Sequence, residues 1–454
     1  MRLSWGLVLG VLLASQPLFA AVSEQEAKRL ERDLTPAGAE RAGNQAGTIP
    51  AWEGGLTAPP PGVDYQPGGH HPDPFAGDKP LYTVSAANMA EHKEQLTEGY
   101  MALFAAYPDS YFMQVYPTRR SCAFPAHVYQ AIKRNAVSSE LTNDGNGVTG
   151  ALMGAPFPIP KSAHEVLWNH ELNYRGHTWY RETGSATPTK TGDFNIDISL
   201  DQWIFSYSDP AVKNTGDLKN INYYFLKQGI SPPSNAGVMT VFNNTLDQVA
   251  EGRRVWTYRP GERKVKRAQG IQYDNVVPSS EGIRTSDNFQ IFNGATDLYD
   301  LELIGKQEKL IPYNLYRFNS PEHQYKDILH KGHLNQELLR YELHRVWVIE
   351  ATLKPGKKHA IAHKRRLYLD EDSWIAAAAD LYDGAGKLVR LQEAHIYNYY
   401  EHPLCSTGSD MVMDVAGGRY SIIGLTNQQR PAQFDLELDQ EQFSPSGMRR
   451  LGVR

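Results

Sequence analysis

The sequence is poor in cysteine and lacks an excess of positive charge. Its 454 residues include two cysteines, and 46 Lys and Arg oppose 51 Asp and Glu, which gives a formal net charge of −5. Because proteins that bind nucleic acid generally carry an excess of basic residues, this balance argues against a nucleic-acid partner. The hydrophobic share of 41% is ordinary for a folded protein, so the chain can bury a sizeable core.

Long apolar runs are missing except at the N-terminus. Arg2 precedes an apolar stretch from Leu7 to Leu13, and a polar segment begins after Ala21. This pattern is typical of a cleaved signal peptide, here residues 1–20, whose apolar part is too short to span a bilayer. A retained anchor is the alternative. We predict a mature chain without a transmembrane segment, located in the periplasm, free or associated with the outer membrane.

Motifs for catalysis, metal binding and phosphate binding are also missing. A zinc protease needs His-Glu-x-x-His, but His164-Glu165 is followed by Trp168, and His170-Glu171 is followed by Tyr174. The chain has no Gly-x-Ser-x-Gly pentapeptide, and its glycine-rich stretch near 145–154 lacks the Lys-Ser/Thr of a phosphate loop. We therefore predict no catalytic residue, no metal ligand and no cofactor.

The two cysteines, Cys122 and Cys405, lie near the start and the end of the main body of the chain. In an exported protein an isolated pair favours a disulfide, which would close a very long loop. Two buried free thiols are the alternative.

Aromatic residues, glycine and proline are abundant. The 25 Tyr, 15 Phe and 8 Trp, together with 38 Gly and 28 Pro, favour strands and turns over long helices. Ser23 and Glu26 form a capping box that predicts a short N-terminal helix. The segment 42–80 is dominated by Gly and Pro and predicts an extended strap, which Ile49 and Trp52 would anchor to the body.

Local patterns predict further elements after the strap. Ser85 should begin a helix that runs to Tyr107, and Ser162 with Glu165 should begin a second one. Residues 253–267 predict a hairpin with seven basic residues and one Glu. Its charges indicate either a solvated sheet edge or a surface for anionic lipid head groups or an acidic protein.

Residues 341–354 predict a central strand that is apolar on both faces. The segments after it predict an antiparallel meander. We divide the chain into the signal peptide at 1–20, an N-terminal helix and strap at 21–80, and a single large β-rich domain at 81–454.

Several stretches, taken in order, closely resemble the DUF1329 family, a bacterial family of unknown function. The most specific of them lie at residues 42–55, 78–111, 116–125, 154–170 and 340–374. The resemblance implies a fold like that of the lipoprotein carriers LolA and LolB. This is an α+β open half-barrel, in which a large curved antiparallel sheet has helices on its concave side.

The resemblance also implies a function in envelope transport. We expect a periplasmic carrier or chaperone for a lipid or other lipophilic small molecule. Its expected partners are an exporter of the resistance-nodulation-division (RND) type and an outer-membrane protein of the DUF1302 type. A non-enzymatic adaptor that binds only proteins is the main alternative, and an envelope hydrolase is a third.

The aromatic face of the sheet is the predicted ligand site. Trp347 and Ile349 lie on one side of the central strand, and Trp256, Tyr258 and Trp374 are the other large side chains that could share this face. Ordinary core packing of these five residues is the alternative, because aromatic stripes usually belong to the core.

Overall fold

The structure is a computed structural model that describes residues 21–268 and 273–452, so the predicted signal peptide at 1–20 lies outside the described residues. The described part of the chain contains eighteen strands and six α-helices. The strands are β1 (Tyr82–Ser85), β2 (Phe112–Val115), β3 (Glu140–Thr142), β4 (Gly147–Thr149), β5 (Thr178–Ala186), β6 (Asp197–Phe205), β7 (Ile221–Ser231), β8 (Met239–Thr245), β9 (Arg254–Arg259), β10 (Lys264–Arg267), β11 (Tyr299–Pro312), β12 (Tyr341–Leu353), β13 (Lys364–Asp370), β14 (Ala376–Tyr382), β15 (Leu388–Tyr399), β16 (Leu404–Asp414), β17 (Arg419–Leu425) and β18 (Gln433–Phe434). The helices are α1 (Glu24–Ala27), α2 (Glu98–Ala106), α3 (Ala126–Ser138), α4 (Ala163–Glu171), α5 (Tyr325–Ile328) and α6 (Pro445–Gly452).

Sixteen of the described strands form one sheet in the order β1-β2-β12-β13-β14-β15-β16-β17-β5-β6-β7-β8-β9-β10, with β11 paired to β12 and β18 paired to β5. The ladders are antiparallel, except that β2 meets β12 in parallel at Val115 and Tyr341. The predicted α+β class with a large, unclosed curved sheet is confirmed. The parallel contact departs from the purely antiparallel sheet that we predicted.

The central strand and the basic hairpin form where their sequence patterns predict them. Strand β12 lies between β11 and β13, and Val346, Val348 and Ile349 are fully buried, so both of its faces are covered. Strands β9 and β10 form the predicted hairpin, with Arg259 paired to Lys264. The predicted meander is the run of antiparallel neighbours from β13 to β17.

The helix predicted to run from Ser85 to Tyr107 is wrong in its first half. Ser85 ends strand β1, residues Met89–Gln95 form a 3₁₀-helix, and α2 begins only after Thr97. The Asp380 carboxylate accepts hydrogen bonds from the backbone N–H groups of Glu98 and Gly99, at 3.1 and 2.9 Å. This tertiary cap fixes the start of α2 and separates it from the preceding turn.

The strap lies against the body of the protein. Ile49 is 2% exposed, the Trp52 Nε1–H group donates to the Cys122 carbonyl at 3.3 Å, and the Leu56 N–H group donates to the Ser121 carbonyl at 2.8 Å. The strap therefore reaches the segment in which Cys122 forms the predicted disulfide with Cys405, which is confirmed.

Candidate ligand-binding cavity

A cavity of about 480 Å³ lies over strands β5, β6, β7, β8 and β17. Residues 277–293, here named the cover segment, contribute its opposite wall. Volumes of 300–1,000 Å³ are usual for small-molecule sites, so the cavity is large enough to hold a ligand.

The floor of the cavity is aromatic because side chains alternate along each strand. Tyr223 and Phe225 point to the same face of β7, and Phe242 lies across from Phe225 on β8. The rings of Phe225 and Phe242 are 5.7 Å apart at 23°, and Phe225 stacks on Trp203 at 4.6 Å. We call Tyr223, Phe225 and Phe242 the aromatic floor. Trp203 is buried directly across from Phe225 on β6, on the same face of the sheet, and holds Phe225 in place.

Charged groups lie at the β5–β6 side of the cavity. The Arg181 guanidinium is 5.0 Å above the Trp203 ring, and its Nη1–H group donates to the Gly408 carbonyl at 3.1 Å. The carboxylate of Asp201 is 3.9 Å from Arg181 Nε. Arg181 is 5% exposed, yet its Nε–H group finds no hydrogen-bond partner within the described residues. Asp201 therefore balances the charge of this buried guanidinium.

A second polar group lies at the Tyr223 end of the floor. The Asn293 Nδ2–H group donates to the Tyr223 hydroxyl at 2.9 Å, and Arg253 Nη2–H donates to the Asn293 carbonyl at 3.1 Å. In the described part of the chain, Asn293 Oδ1 and Arg253 Nε have no hydrogen-bond partner. Burial raises the pKa of Tyr223, so its hydroxyl keeps its proton. The cavity therefore combines apolar surface with a few fixed polar atoms.

Two buried ion pairs hold the cover segment in place. Arg284 pairs with Asp410, and its Nη1–H group donates to the Ser421 carbonyl at 3.3 Å. Asp287 accepts from Arg365 at 2.6 Å; burial would raise the pKa of Asp287, but this pairing and His359 lower it to about 2. The cavity is therefore largely formed before any ligand binds.

A second cavity, of about 630 Å³, lies between the end of the strap and residues 314–323 and 338–340. Its lining includes His70, His71 and Asp73, and His71 Nε2 is 2.5 Å from the Glu401 carboxylate. Loops rather than sheet residues supply most of this lining, and its three aromatic rings, Phe75, Tyr116 and Tyr316, do not lie side by side on neighbouring strands.

The residues that the sequence proposed as a ligand site are not brought together. Trp347 and Trp374 stack at 6.4 Å in the main core beside Ile349, and Trp374 donates from Nε1 to the Ala37 carbonyl at 2.8 Å. Trp256 and Tyr258 lie in a separate cluster against α6, where the Tyr258 hydroxyl donates to the Gly452 carbonyl.

None of the five predicted site residues lines the 480 Å³ cavity. Contrary to the prediction, the five residues do not share one face of the sheet, because β12 and β9 are far apart in the strand order. Contact of these residues with a ligand stays a prediction.

The cavity residues are not among the predicted site residues, although the sequence carries a signal for them. In β5, Arg181, Thr183 and Ser185 alternate with residues of the opposite face, and β7 carries Tyr223 and Phe225 on one face. An apolar strand face looks the same in a sequence whether a helix or an open cavity covers it.

A buried ionic cluster joins the strap to β12 and β13. His344 lies with Nε2 3.2 Å from the Glu342 carboxylate and Nδ1 3.5 Å from that of Asp370. Burial would lower the pKa of His344, but the carboxylates of Asp370 and Glu342 raise it to about 9. Asp372 is held by Arg120 at 2.7 Å. The ligand atoms of His344, Asp370 and Asp372 lie within 4.8 Å of one another, and in this structure all three side chains take part in ion pairs.

The guanidinium groups of this cluster also hold the strap backbone. Arg120 donates to the carbonyls of Glu40 and Pro50, and Arg345 donates to those of Glu40 and Ala42, at 2.8–3.3 Å. The irregular strap therefore has side-chain partners for carbonyl groups that no neighbouring strand satisfies.

Comparisons with known proteins agree with the sequence resemblance. The model of the DUF1329 family, described as a protein of unknown function, matches residues 83–449. An uncharacterized protein of Pseudomonas aeruginosa, PA3922, is 42% identical over 448 residues, covering 98% of both chains.

Solved structures give weaker matches. A DUF1329 family protein from Desulfovibrio piger has a TM-score of 0.41 at 16% identity, covering 60% of this chain and 92% of that one. A LolA superfamily protein from Nitrosomonas europaea has a TM-score of 0.36 at 12% identity, covering 63% and 98%. Within the described residues, no helix has the length and apolar character needed to cross a membrane.

Proposed function

Since the chain belongs to the DUF1329 family, for which no function is assigned, its function has to be inferred from its cavity, and we propose that it is a non-enzymatic carrier of a lipophilic small molecule or lipid. The observation that supports this proposal is the 480 Å³ cavity with its aromatic floor of Tyr223, Phe225 and Phe242. We place the carrier in the periplasm, because the N-terminus has the pattern of a signal peptide.

The size and lining of the cavity suit reversible binding of an apolar chain. Burying an acyl chain contributes about 0.8 kcal/mol per methylene, so about ten carbons would contribute roughly 8 kcal/mol before ordering costs. Because the ion pairs of Arg284 and Asp287 already hold the cover segment, little of this energy is spent on ordering the protein.

The polar atoms of the cavity would orient the cargo. The lining supplies charged atoms such as Lys227 Nζ, which belongs to an exposed side chain and has no carboxylate at ion-pair distance within the described residues. A polar head group at one end of a lipophile would satisfy such atoms, whereas a hydrocarbon would leave them unpaired. The proposed cargo is therefore amphiphilic.

One group of residues in the structure has the residue types of a hydrolase active site. Ser409 Oγ lies 2.7 Å from His395 Nδ1, and the Glu393 carboxylate is 3.8 Å from His395 Nε2. The three residues resemble a catalytic triad in type, but Ser409 is 1% exposed and His395 is fully buried. A substrate could not reach this serine, so we interpret the group as a structural hydrogen-bond network.

The cargo would pass between membrane-bound partners. An RND-type exporter and a DUF1302-type outer-membrane protein remain our proposed partners, and an adaptor that binds only proteins remains the alternative function. Mass spectrometry of organic extracts from protein purified out of its native host separates carrier from adaptor. One stoichiometric lipophile supports the carrier, and repeatedly empty extracts support the adaptor.

Binding of a fluorescent fatty-acyl probe tests the cavity directly. Phe242 and Trp256 are matched for this purpose, because both are half-buried aromatics on the neighbouring strands β8 and β9 but lie on opposite faces of the sheet. Phe242→Ala should weaken probe binding about tenfold, as expected from the loss of a ring contact. Trp256→Ala should leave the affinity unchanged, and the melting temperature of each empty variant reports any general loss of stability.

The opposite result would place the ligand site on the other face of the sheet. If Trp256→Ala weakens probe binding and Phe242→Ala does not, the aromatic face predicted from the sequence binds the cargo and the cavity does not. If the wild-type protein fails to bind any fatty-acyl probe, the carrier proposal is refuted.

A further inference from the structure

The basic hairpin β9–β10 forms one edge of the sheet, because β10 is the last strand in the order. Four of its cations have no carboxylate within ion-pair distance among the described residues: Arg259, Arg263, Lys264 and Arg267. All four are exposed. The other three basic residues of 253–267 have partners: Arg254 pairs with Glu251, Lys266 pairs with Glu262, and Arg253 donates to the Gln248 side chain and the Asn293 carbonyl. We name the four unpaired cations the basic edge.

An uncharged, partly apolar loop lies beside the basic edge. Residues 232–238 connect β7 to β8, and a Cβ atom on Gly237 would come within 3.0 Å of Pro260 in the β9–β10 turn. Ile230, which lies in β7 two residues before this loop, is 45% exposed. Apolar and cationic surfaces are therefore adjacent at this corner of the molecule.

The same corner borders the 480 Å³ cavity. Pro232 from the β7–β8 loop and Lys227 from β7 both belong to the cavity lining. Lys227 is exposed and, within the described chain, has no carboxylate at ion-pair distance. A surface that contacts the loop would lie next to this end of the cavity.

We propose that the basic edge and the β7–β8 loop dock on an anionic phospholipid surface and so place the end of the cavity at the membrane. Exposed cations attract anionic head groups, and a neighbouring aliphatic side chain can enter the interface between head groups and acyl chains. An acidic protein would match the cations equally well, but this corner adjoins the cavity that we propose holds a lipophile, so we commit to a lipid surface; this choice rests on the proposed function. This inference goes beyond the binding of cargo, because it concerns where cargo enters or leaves.

Sedimentation with vesicles tests the docking surface. The full mature chain is mixed with vesicles of phosphatidylcholine alone and with vesicles of equimolar phosphatidylcholine and phosphatidylglycerol. The wild-type protein should bind the anionic vesicles more tightly, and added salt should weaken that binding by screening.

Two charge-reversal variants provide a matched comparison. Arg259→Glu with Lys264→Glu removes two cations of the basic edge. Lys79→Glu with Lys93→Glu makes the same change in net charge beside β1, at the other end of the strand order. Each cation near an anionic surface contributes about a fivefold gain in affinity, so the first variant should bind anionic vesicles at least about 25-fold more weakly. The second should bind like the wild type.

Three outcomes would overturn the inference. In the first, both variants bind anionic vesicles equally weakly. In the second, the Arg259/Lys264 variant binds them as tightly as the wild type. In the third, the wild type does not prefer anionic vesicles, which would leave an acidic protein as the partner of the basic edge. Because the Arg259/Lys264 variant should still bind the fatty-acyl probe in solution, failure of docking is distinguishable from failure of the carrier proposal.

Discussion

Removing the disulfide should destabilise the protein more than most single contacts could. Cys122 and Cys405 are separated by 283 residues, and in the chain-entropy model the closure of such a loop is worth about 5 kcal/mol of unfolding free energy. Both cysteines are buried, and the carbonyl of Cys122 accepts the hydrogen bond from Trp52 of the strap. Loss of the bond should therefore both lower global stability and loosen the strap.

Urea unfolding of a Cys122→Ala/Cys405→Ala variant measures the first effect. Tryptophan fluorescence and far-ultraviolet circular dichroism should give coincident transitions, which justifies reading them as free energies. Chemically reduced wild-type protein is the matched control, because it lacks the bond but keeps both sulfur atoms in the core. Limited proteolysis of the three forms measures the second effect, through the rate of cleavage within residues 42–80.

A small effect would refute this reasoning. If the variant and the reduced wild type both unfold within about 1 kcal/mol of the oxidised protein, the denatured chain is not constrained as the loop-closure model requires. If stability falls but the strap is cleaved no faster, the segment around Cys122 is held by its other contacts.

Two further predictions concern the strap and the ionic cluster. Ile49→Ala should lower the unfolding free energy by about 2–4 kcal/mol, because it empties a buried site, and should speed proteolysis of the strap; a variant as resistant as the wild type would show that the other strap contacts suffice. The pKa of His344 is raised from its ordinary 6.5 to about 9, so its contribution is present in full below about pH 6.5 and is lost as pH rises through 9. Denaturation at a series of pH values should show wild-type stability falling by about 3 kcal/mol across that window, and a His344→Gln variant that falls equally would contradict the assignment.

The parts of the fold that the sequence predicted correctly depend on local signals. The hairpin at 253–267 has alternating residues and a Pro-Gly turn, and β12 has apolar residues on both faces. The helix start at Ser162 was also correct, since its hydroxyl accepts from Glu165 N at 3.3 Å. Each of these signals acts within a few residues and needs no knowledge of the rest of the chain.

The failures depend on partners that are distant in sequence. The interruption before α2 is set by Asp380, which lies 281 positions from Gly99. The separation of Trp256 from Trp347 follows from strand order, which alternation within single strands does not encode. For the same reason the cavity could not be found, because its floor and its cover come from segments far apart along the chain.

The attachment of the strap by Arg120 and Arg345 has a consequence for the order of folding. Residues 40–50 leave the ribosome early, but Arg345, which holds the Ala42 carbonyl, is made 303 residues later, and the Glu371 and Asp372 carboxylates that hold the guanidinium groups follow it. The N-terminal segment must therefore wait, unpaired, until strands β12 and β13 have formed, which gives the protein a high contact order. During refolding, burial of Trp52 should accordingly be among the last events, reported by protection of residues 40–56 from hydrogen exchange later than the strands of the sheet.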